Sequence, residues 1–262
     1  AGINRARSQS PALRSPQRWF LDATTPTDQI FAVAKYEQSG LSPTRQDVVL
    51  AFASLDRNNE QWANYKIPTG LGQILNLSDT RVYNVKNIAA YTKQNSARNS
   101  NFIWRSEGYS GLQLKTEGVW VGLKPVPKDV ETWSTAPFEA QYLKLYDVTP
   151  PPAVSGSPTI SSSITANGTT TVSWNAVNDP EGPTPTYRVT ASNGSTVETT
   201  STSVSFPGLP PGTYTFTVTA FNPNDPSKTS FASTSSPSVR SLAATGDEDN
   251  DGQTNADELI AG

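Results

Sequence analysis

Neither cysteine nor histidine occurs anywhere in this chain, and methionine is missing as well. Without thiolate or imidazole there is no zinc site of the usual donor set, no thiol chemistry and no histidine-dependent catalytic triad. Disulfides cannot form, so cysteine usage says nothing about the compartment. A chain without methionine is expected to have been trimmed ahead of Ala1 or, as we favour, to be a piece of a longer protein. Long apolar runs are lacking too. No window approaches the ~20 residues that span a bilayer, and residues 1–10 have no apolar centre that would act as a secretion signal.

Charged residues make up 16% of the chain and apolar ones 35%, both low, and the balance is Ser, Thr, Asn, Gly and 21 prolines. That is the composition of turn-rich all-β modules rather than of a helical enzyme. The formal net charge of −3 is unevenly spread. Asp247, Glu248, Asp249, Asp251, Asp257 and Glu258 stand after Arg240 with no base among them, and setting those six aside leaves 17 acids against 20 bases. No basic stripe marks a nucleic-acid surface. Neither nucleic acid nor a membrane span is expected.

A length of 262 residues accommodates one large or two small domains, and a proline clamp at Pro150, Pro151 and Pro152 argues for two or more. Ahead of the clamp, residues 136–148 read at period two, with Gln141, Leu143 and Leu145 on one face and Phe138, Ala140, Tyr142 and Tyr146 on the other. Large apolar groups on both faces of this last strand predict cover on both: a partner sheet on one, another sheet or a neighbouring domain on the other. The prolines then carry the chain in extended form to a separate unit.

Residues 3–10 read as the last turns of a helix stopped by Pro11. Such a stub has nothing to pack on within the chain, which makes a frayed terminus the competing reading. The run of segments beyond it favours the helix. Ser10-Pro11-Ala12-Leu13-Arg14-Ser15 and Arg18-Trp19-Phe20-Leu21 come first, then two apolar strands at 30–36 and 47–53 separated by Gly40 and Pro43, then segments 82–88, 119–123 and 140–146. Their order resembles glycoside hydrolase family 13, the α-amylase family, from the end of its last barrel helix through its C-terminal β-domain. The resemblance covers residues 1–148. It implies a β-sandwich packed on a catalytic (β/α) barrel of the same polypeptide. The family's nucleophile aspartate, acid glutamate and second aspartate lie on barrel strands that are not in this sequence, so no catalytic residue is assigned.

Carboxylate pairs such as Asp47 with Asp56, or Glu131 with Glu139, have the chemistry of a glycosidase dyad. No motif surrounds them, and surface solvation is the preferred reading. Trp62, Tyr65, Trp104, Tyr109, Trp120 and Trp133 pose a choice between a sugar-stacking platform and ordinary sandwich core. Trp62, Tyr65 and Trp104 are the preferred carbohydrate-binding candidates, because Asn58, Asn59, Asn64 and Asn101 near them read as polar loop. Residues 95–110, rich in Ser and Asn, read as a long exposed loop without chemistry.

Beyond the prolines the texture changes to Ser and Thr. Thr170-Thr171-Val172-Ser173-Trp174 alternates with Trp174 inward, residues 187–191 make a second strand, and residues 209–222 a third. In the third, Tyr214, Phe216, Val218 and Ala220 take the buried face while Thr215, Thr217 and Thr219 face water. The inward tryptophan and the run Leu209-Pro210-Pro211-Gly212-Thr213-Tyr214 resemble the fibronectin type III module, with Tyr214 as its corner tyrosine. Such a module implies a spacer or binding surface rather than chemistry. Asn167-Gly168-Thr169 and Asn193-Gly194-Ser195 fit both a glycosylation triplet and a tight hairpin turn, and the turn is preferred.

Residues 247–258 match the calcium-loop pattern D-x-D-x-D-G-x5-E at each required position. Asp247, Asp249 and Asp251 converge, Gly252 permits the sharp turn, Gln253 offers its carbonyl, Asn255 holds a water and Glu258 closes the ring. The competing reading is an acidic disordered tail. Thr254 in place of an aliphatic residue, and the short breaker-ended stretch 243–246, resemble the single loops of dockerins and thrombospondin type 3 repeats more than a paired EF-hand.

The expected fold is all-β. A helix end and junction occupy 1–15, an α-amylase-type C-terminal β-sandwich 16–148, a linker 149–156, a fibronectin type III β-sandwich 157–241 and an EF-hand-like, dockerin-like calcium loop 242–262. The expected role is the non-catalytic C-terminal region of a secreted bacterial α-glucan-active enzyme, extracellular or at the cell surface, with Ca2+ as cofactor. Its expected partners are the barrel, α-glucan and a cell-surface or scaffold component. The alternative is a secreted carbohydrate-binding or adhesion protein with no enzymatic domain.

Overall fold

Burial alternates along residues 140–147: Gln141, Leu143, Leu145 and Asp147 are buried while Ala140, Tyr142, Lys144 and Tyr146 are half-buried. The computed structural model describes residues 2–24, 29–56, 58–89, 103–123 and 140–261. Phe138, Glu131, Glu139, Trp133 and Asn101 lie outside the described residues. The chain divides at the proline clamp into two units, Ala1–Thr149 and Pro150–Gly262. Among the described residues no helix is long and apolar enough to cross a membrane.

In the first unit, helices α1 (Gly2–Gln9) and α2 (Pro11–Arg14) precede strands β1 (Arg18–Phe20), β2 (Ile30–Tyr36), β3 (Val48–Ser54) and β4 (Gln61–Tyr65). Helix α3 (Thr69–Ile74), strands β5 (Val82–Asn87) and β6 (Ile103–Ser110), helix α4 (Gly111–Thr116) and strands β7 (Val119–Leu123) and β8 (Ala140–Asp147) come next. A six-stranded antiparallel sheet runs β1-β2-β3-β8-β5-β6, so β8 is a central strand, paired on both edges. β4 and β7 form a separate two-stranded sheet. Its inward residues Ala63, Tyr65, Val119, Val121 and Leu123 meet Leu50, Phe52, Leu143 and Leu145 of the larger sheet in one core, which Leu71 of α3 and Leu114 of α4 also enter.

The N-terminal helices lie on the other face of the six-stranded sheet. Ala6 and Ala12 are fully buried, which corrects the expectation that this segment has nothing in the chain to pack on. Val33, Ala51 and Tyr142 give the sheet a second apolar face, and the helices use it. A cavity of about 200 Å³ remains there, lined by Arg7, Leu13, Phe31, Val33, Ala51 and Tyr142 among others.

Residues 103–110 are a strand rather than a loop, with Tyr109 opposite Tyr83 and Trp104 opposite Val85. Residues 105–108 bulge out between those pairs, where Arg105 (φ 61°) and Gly108 (φ 83°) take the left-handed region. A bulge of this kind breaks the period-two pattern by which a strand is recognised.

The second unit contains β9 (Thr159–Ile160), β10 (Ile164–Thr165), β11 (Thr170–Ser173), β12 (Thr186–Ala191), β13 (Thr196–Thr199) and β14 (Ser203–Phe206). β15 (Gly212–Tyr214), β16 (Phe216–Asn222), β17 (Asp225–Thr229), β18 (Val239–Ser241) and helix α5 (Asn255–Ala261) complete it. Its sheets are β13-β12-β16-β17, β14-β11-β9 and the small β10-β18-β15. Trp174, Tyr187, Val189, Phe206, Phe216 and Val218 share one core. The stretch read as one strand over 209–222 is two: at Thr215 the chain leaves β18 and joins β12. Alternation survives the switch, so Tyr214 and Phe216 are both buried. The Asn-Gly pairs are turns, with Gly168 at φ 68° and Gly194 at φ 88°. Asn167 and Asn193 each accept, through Oδ1, the amide two residues on.

Candidate carbohydrate and metal sites

Cross-strand register decides what the outer face of the β4–β7 sheet presents. Trp62 stands opposite Gly122 and Asn64 opposite Trp120, and at period two all four belong to one face. Trp62 is 55% exposed and Trp120 58%. A Cβ on Gly122 would lie 2.5 Å from two ring carbons of Trp62 and 2.6 Å from the next. Near-equal distances to three consecutive ring atoms put that point under the face of the ring, so the indole lies across the glycine. Asn64 is 4% exposed, and its Nδ2 is without a hydrogen-bond partner. Its backbone carbonyl accepts from the Thr24 amide at 3.0 Å and from Thr24 Oγ1 at 3.2 Å. Beneath the sheet, Gln141 Nε2 donates to the Gly122 carbonyl at 3.1 Å, tying the two layers together.

The other predicted aromatics fall elsewhere. Tyr65 is 2% exposed and its ring centroid lies 4.9 Å from that of Phe52. A ring held in the core offers no face to a ligand, which corrects its assignment to a platform. Asn64, taken as a loop marker beside it, is a strand residue. Trp104 is on β6, and its side chain lies outside the described residues. Tyr109 packs half-buried on the core, with the Arg105 guanidinium 5.3 Å from its ring centroid. Trp120 was not preferred from sequence, because only the β4–β7 register brings it beside Trp62.

The first carboxylate pair is not brought together as a dyad. Asp47 is bound to Lys144 at 2.5 Å. Asp56 instead shapes a turn, accepting from the amides of Asn58 and Asn59 and from the side chains of Asn59 and Gln61. Those donors, the Asn58 amide foremost, hold its carboxyl below the usual range.

Asp247, Asp249 and Asp251 bring carboxylate oxygens within 4.8 Å of one another. The Gly252 amide donates to Asp247 Oδ2 at 2.9 Å and the Gln253 amide to Asp251 Oδ1 at 2.8 Å. Asn250 (φ 61°) and Gly252 (φ 93°) turn the chain. The Glu258 carboxyl is pushed up, first by partial loss of water and then by the negative charges of Asp249, Asp251, Asp247 and Glu248. Asn255 has a structural part in this loop. It is 2% exposed, its Nδ2 donates to the Ala243 carbonyl at 2.8 Å, and its Oδ1 accepts from the Glu248 amide at 3.3 Å. The side chain fastens the loop.

No curated protein matches the chain. Among solved structures, the Clostridium perfringens spore cortex lytic enzyme SleM is similar at 18% identity and a TM-score of 0.26, over 45% of this chain and 36% of that one. A segment of titin is similar at 12% identity and a TM-score of 0.34, over 82% of this chain and 75% of its own. The FN1-FN3 domains of chicken CNTN1 are similar at 11% identity and a TM-score of 0.29, over 86% and 97%. The family model described as fibronectin type III domain matches residues 151–233. In the same stretch the Tyr214 hydroxyl donates to the Pro210 carbonyl at 2.9 Å, the corner bond of such sandwiches. The second part of this chain carries a fibronectin type III domain.

Proposed function

We propose that this chain is a non-catalytic binding and spacing segment of a secreted or cell-surface protein directed at carbohydrate. The observation that carries the reading is the pair of exposed indoles, Trp62 and Trp120, on one face of the first unit. Flat aromatic rings with a polar edge take the apolar face of a sugar without needing a deep pocket. The fibronectin type III domain that follows in the chain supplies reach and surface rather than reaction chemistry. The purified chain, passed over insoluble starch and cellulose and assayed for released reducing sugar, is expected to be retained without turnover. Turnover, or failure to be retained on any polysaccharide, overturns the reading.

A second reading is favoured by the far face of the six-stranded sheet. The cavity of about 200 Å³ beside α1 and α2, and Phe31 at 46% exposure, support an interface with a (β/α) barrel of the kind the α-amylase resemblance implies. On that reading the chain is the non-catalytic C-terminal region of an α-glucan-active glycoside hydrolase. A reading frame continuous upstream of Ala1 and encoding barrel strands with acidic residues supports it. A secretion signal directly ahead of Ala1 favours the stand-alone binding protein.

Calcium belongs to both readings. Asp247, Asp249, Asp251 and Glu258, with the carbonyl of Gln253, offer the hard oxygen donors of an ion that takes roughly six to eight of them. They would hold it in a loop of the dockerin or thrombospondin type 3 kind within 242–262.

A further inference from the structure

Resting on the reading of the chain as a carbohydrate-binding segment, we propose that Trp62 and Trp120 form one site for a neutral pyranosyl oligosaccharide. The two indoles stack on the sugar, with Asn64 buried between their positions. Diagonal neighbours on an antiparallel pair stand roughly 7–8 Å apart, so the Trp62 and Trp120 positions flank Asn64 and Gly122 on the same face.

The Trp62 ring is pinned. One of its faces rests on Gly122, which leaves the opposite face directed away from the sheet. A ring already held in place loses less freedom when a ligand arrives. Gly122 itself is not among the residues of positive φ, so its backbone does not call for glycine. The ring does, since any Cβ there would meet it at 2.5 Å. Glycine inside a strand weakens the strand and commonly marks a close approach.

Asn64 lies between those two positions. It is 4% exposed with its Nδ2 unpaired, and a buried donor without an acceptor is unfavourable. Its Oδ1 is turned to Gly118, where a Cβ would meet it at 2.7 Å, so Nδ2 is turned away from Gly118. That nitrogen is closed to solvent, so the faces a sugar meets are those of the two exposed indoles. Trp62, Asn64, Trp120 and Gly122 carry no charge, which fits a neutral sugar rather than a uronate or a nucleic acid.

The test titrates the full chain with maltoheptaose and, separately, with cellopentaose, followed by calorimetry and tryptophan fluorescence. Trp62→Ala and Trp120→Ala are each expected to weaken binding about tenfold. Gly122→Ala keeps both indoles but displaces the Trp62 ring, and should weaken binding with the thermal midpoint little changed. Asn64→Leu removes the orphaned donor at similar volume. It should leave binding little changed and stability equal or higher, since the donor it removes is closed to solvent. Phe231→Ala, on the second unit, should change nothing. Wild-type affinity in the Trp62→Ala, Trp120→Ala double variant overturns this site while leaving the carbohydrate reading in place. Failure of the unaltered chain to bind either sugar or any polysaccharide overturns both.

Discussion

Ser233 is bonded to Val218 twice: its amide donates to the Val218 carbonyl at 2.9 Å and its hydroxyl accepts from the Val218 amide at 2.9 Å. Ser230 treats Ala220 in the same way, and Ser236 treats Phe216. Every third residue after β17 thus serves every second residue of β16, with a side-chain oxygen standing in for the carbonyl of a regular ladder. Ser233→Ala leaves the Val218 amide without its acceptor and is expected to cost about 1–3 kcal/mol in denaturant unfolding. The Val218 amide should lose hydrogen-exchange protection in parallel. A change within about 0.5 kcal/mol, the ordinary range of surface substitutions, would show that water replaces the hydroxyl.

That serine ladder explains why the last edge of the fibronectin type III domain escaped a period-two reading while its neighbour did not. Tyr214, Phe216, Val218 and Ala220 alternate with threonines, and all four are buried as the alternation predicts. In the first unit the strands around Val33, Leu50 and Leu143 announce themselves by apolar runs, but Trp62 and Trp120 meet only through register across distant segments. Tyr65 was misplaced because nearby asparagines suggested a loop, whereas Asn64 is buried within β4. Residues 105–108 hid β6 by bulging out of it.

Asp147 closes the first unit. It is 1% exposed, forms an ion pair with Arg81 Nε through Oδ2, and accepts from Thr44 Oγ1 at 2.5 Å and from the Thr149 amide at 2.9 Å. Asp147→Ala takes the carboxylate away from a guanidinium that is 7% exposed as a residue. The expected loss is about 3–5 kcal/mol, read from the urea transition of the first unit. A loss under about 1 kcal/mol would mean that Arg81 finds water or another carboxylate.

Alkali should test the far face of the six-stranded sheet. Burial pushes the phenols of Tyr142 and Tyr146 above their ordinary 10.0, although Arg7 and Lys144 respectively pull the other way. The folded state therefore prefers the neutral phenol. Its stabilisation is intact below pH 10.0 and is lost as pH rises through that value toward the raised one. Ultraviolet titration should show three tyrosines ionising late, these two and Tyr109, which burial also pushes up, and Tyr142→Phe should move alkaline unfolding of the first unit to higher pH. Simultaneous ionisation of all tyrosines at the free value would contradict this.

Calcium should order the C-terminal loop. Asp247, Asp249 and Asp251 hold their oxygens within 4.8 Å of one another, and their charges raise the protonation range of Glu258 after partial desolvation has done so. A divalent cation replaces that repulsion with coordination. The loop is already fastened by Asn255 to Ala243 and Glu248, so ordering costs less than for a free tail. The described residues hold one such loop, unpaired among them, which places the expected Kd for this chain in the extracellular range of ~10⁻⁴–10⁻³ M. Asp249→Ala should weaken binding through a lost ligand. Asn255→Ala should weaken it through a loosened loop, visible as amide exchange at Glu248 even without calcium. Magnesium, which demands tighter octahedral geometry, should compete poorly. Amide spectra of residues 243–258 that ignore calcium up to several millimolar, or that respond equally in an Asp247→Ala, Asp251→Ala double variant, would leave an acidic tail and no metal site.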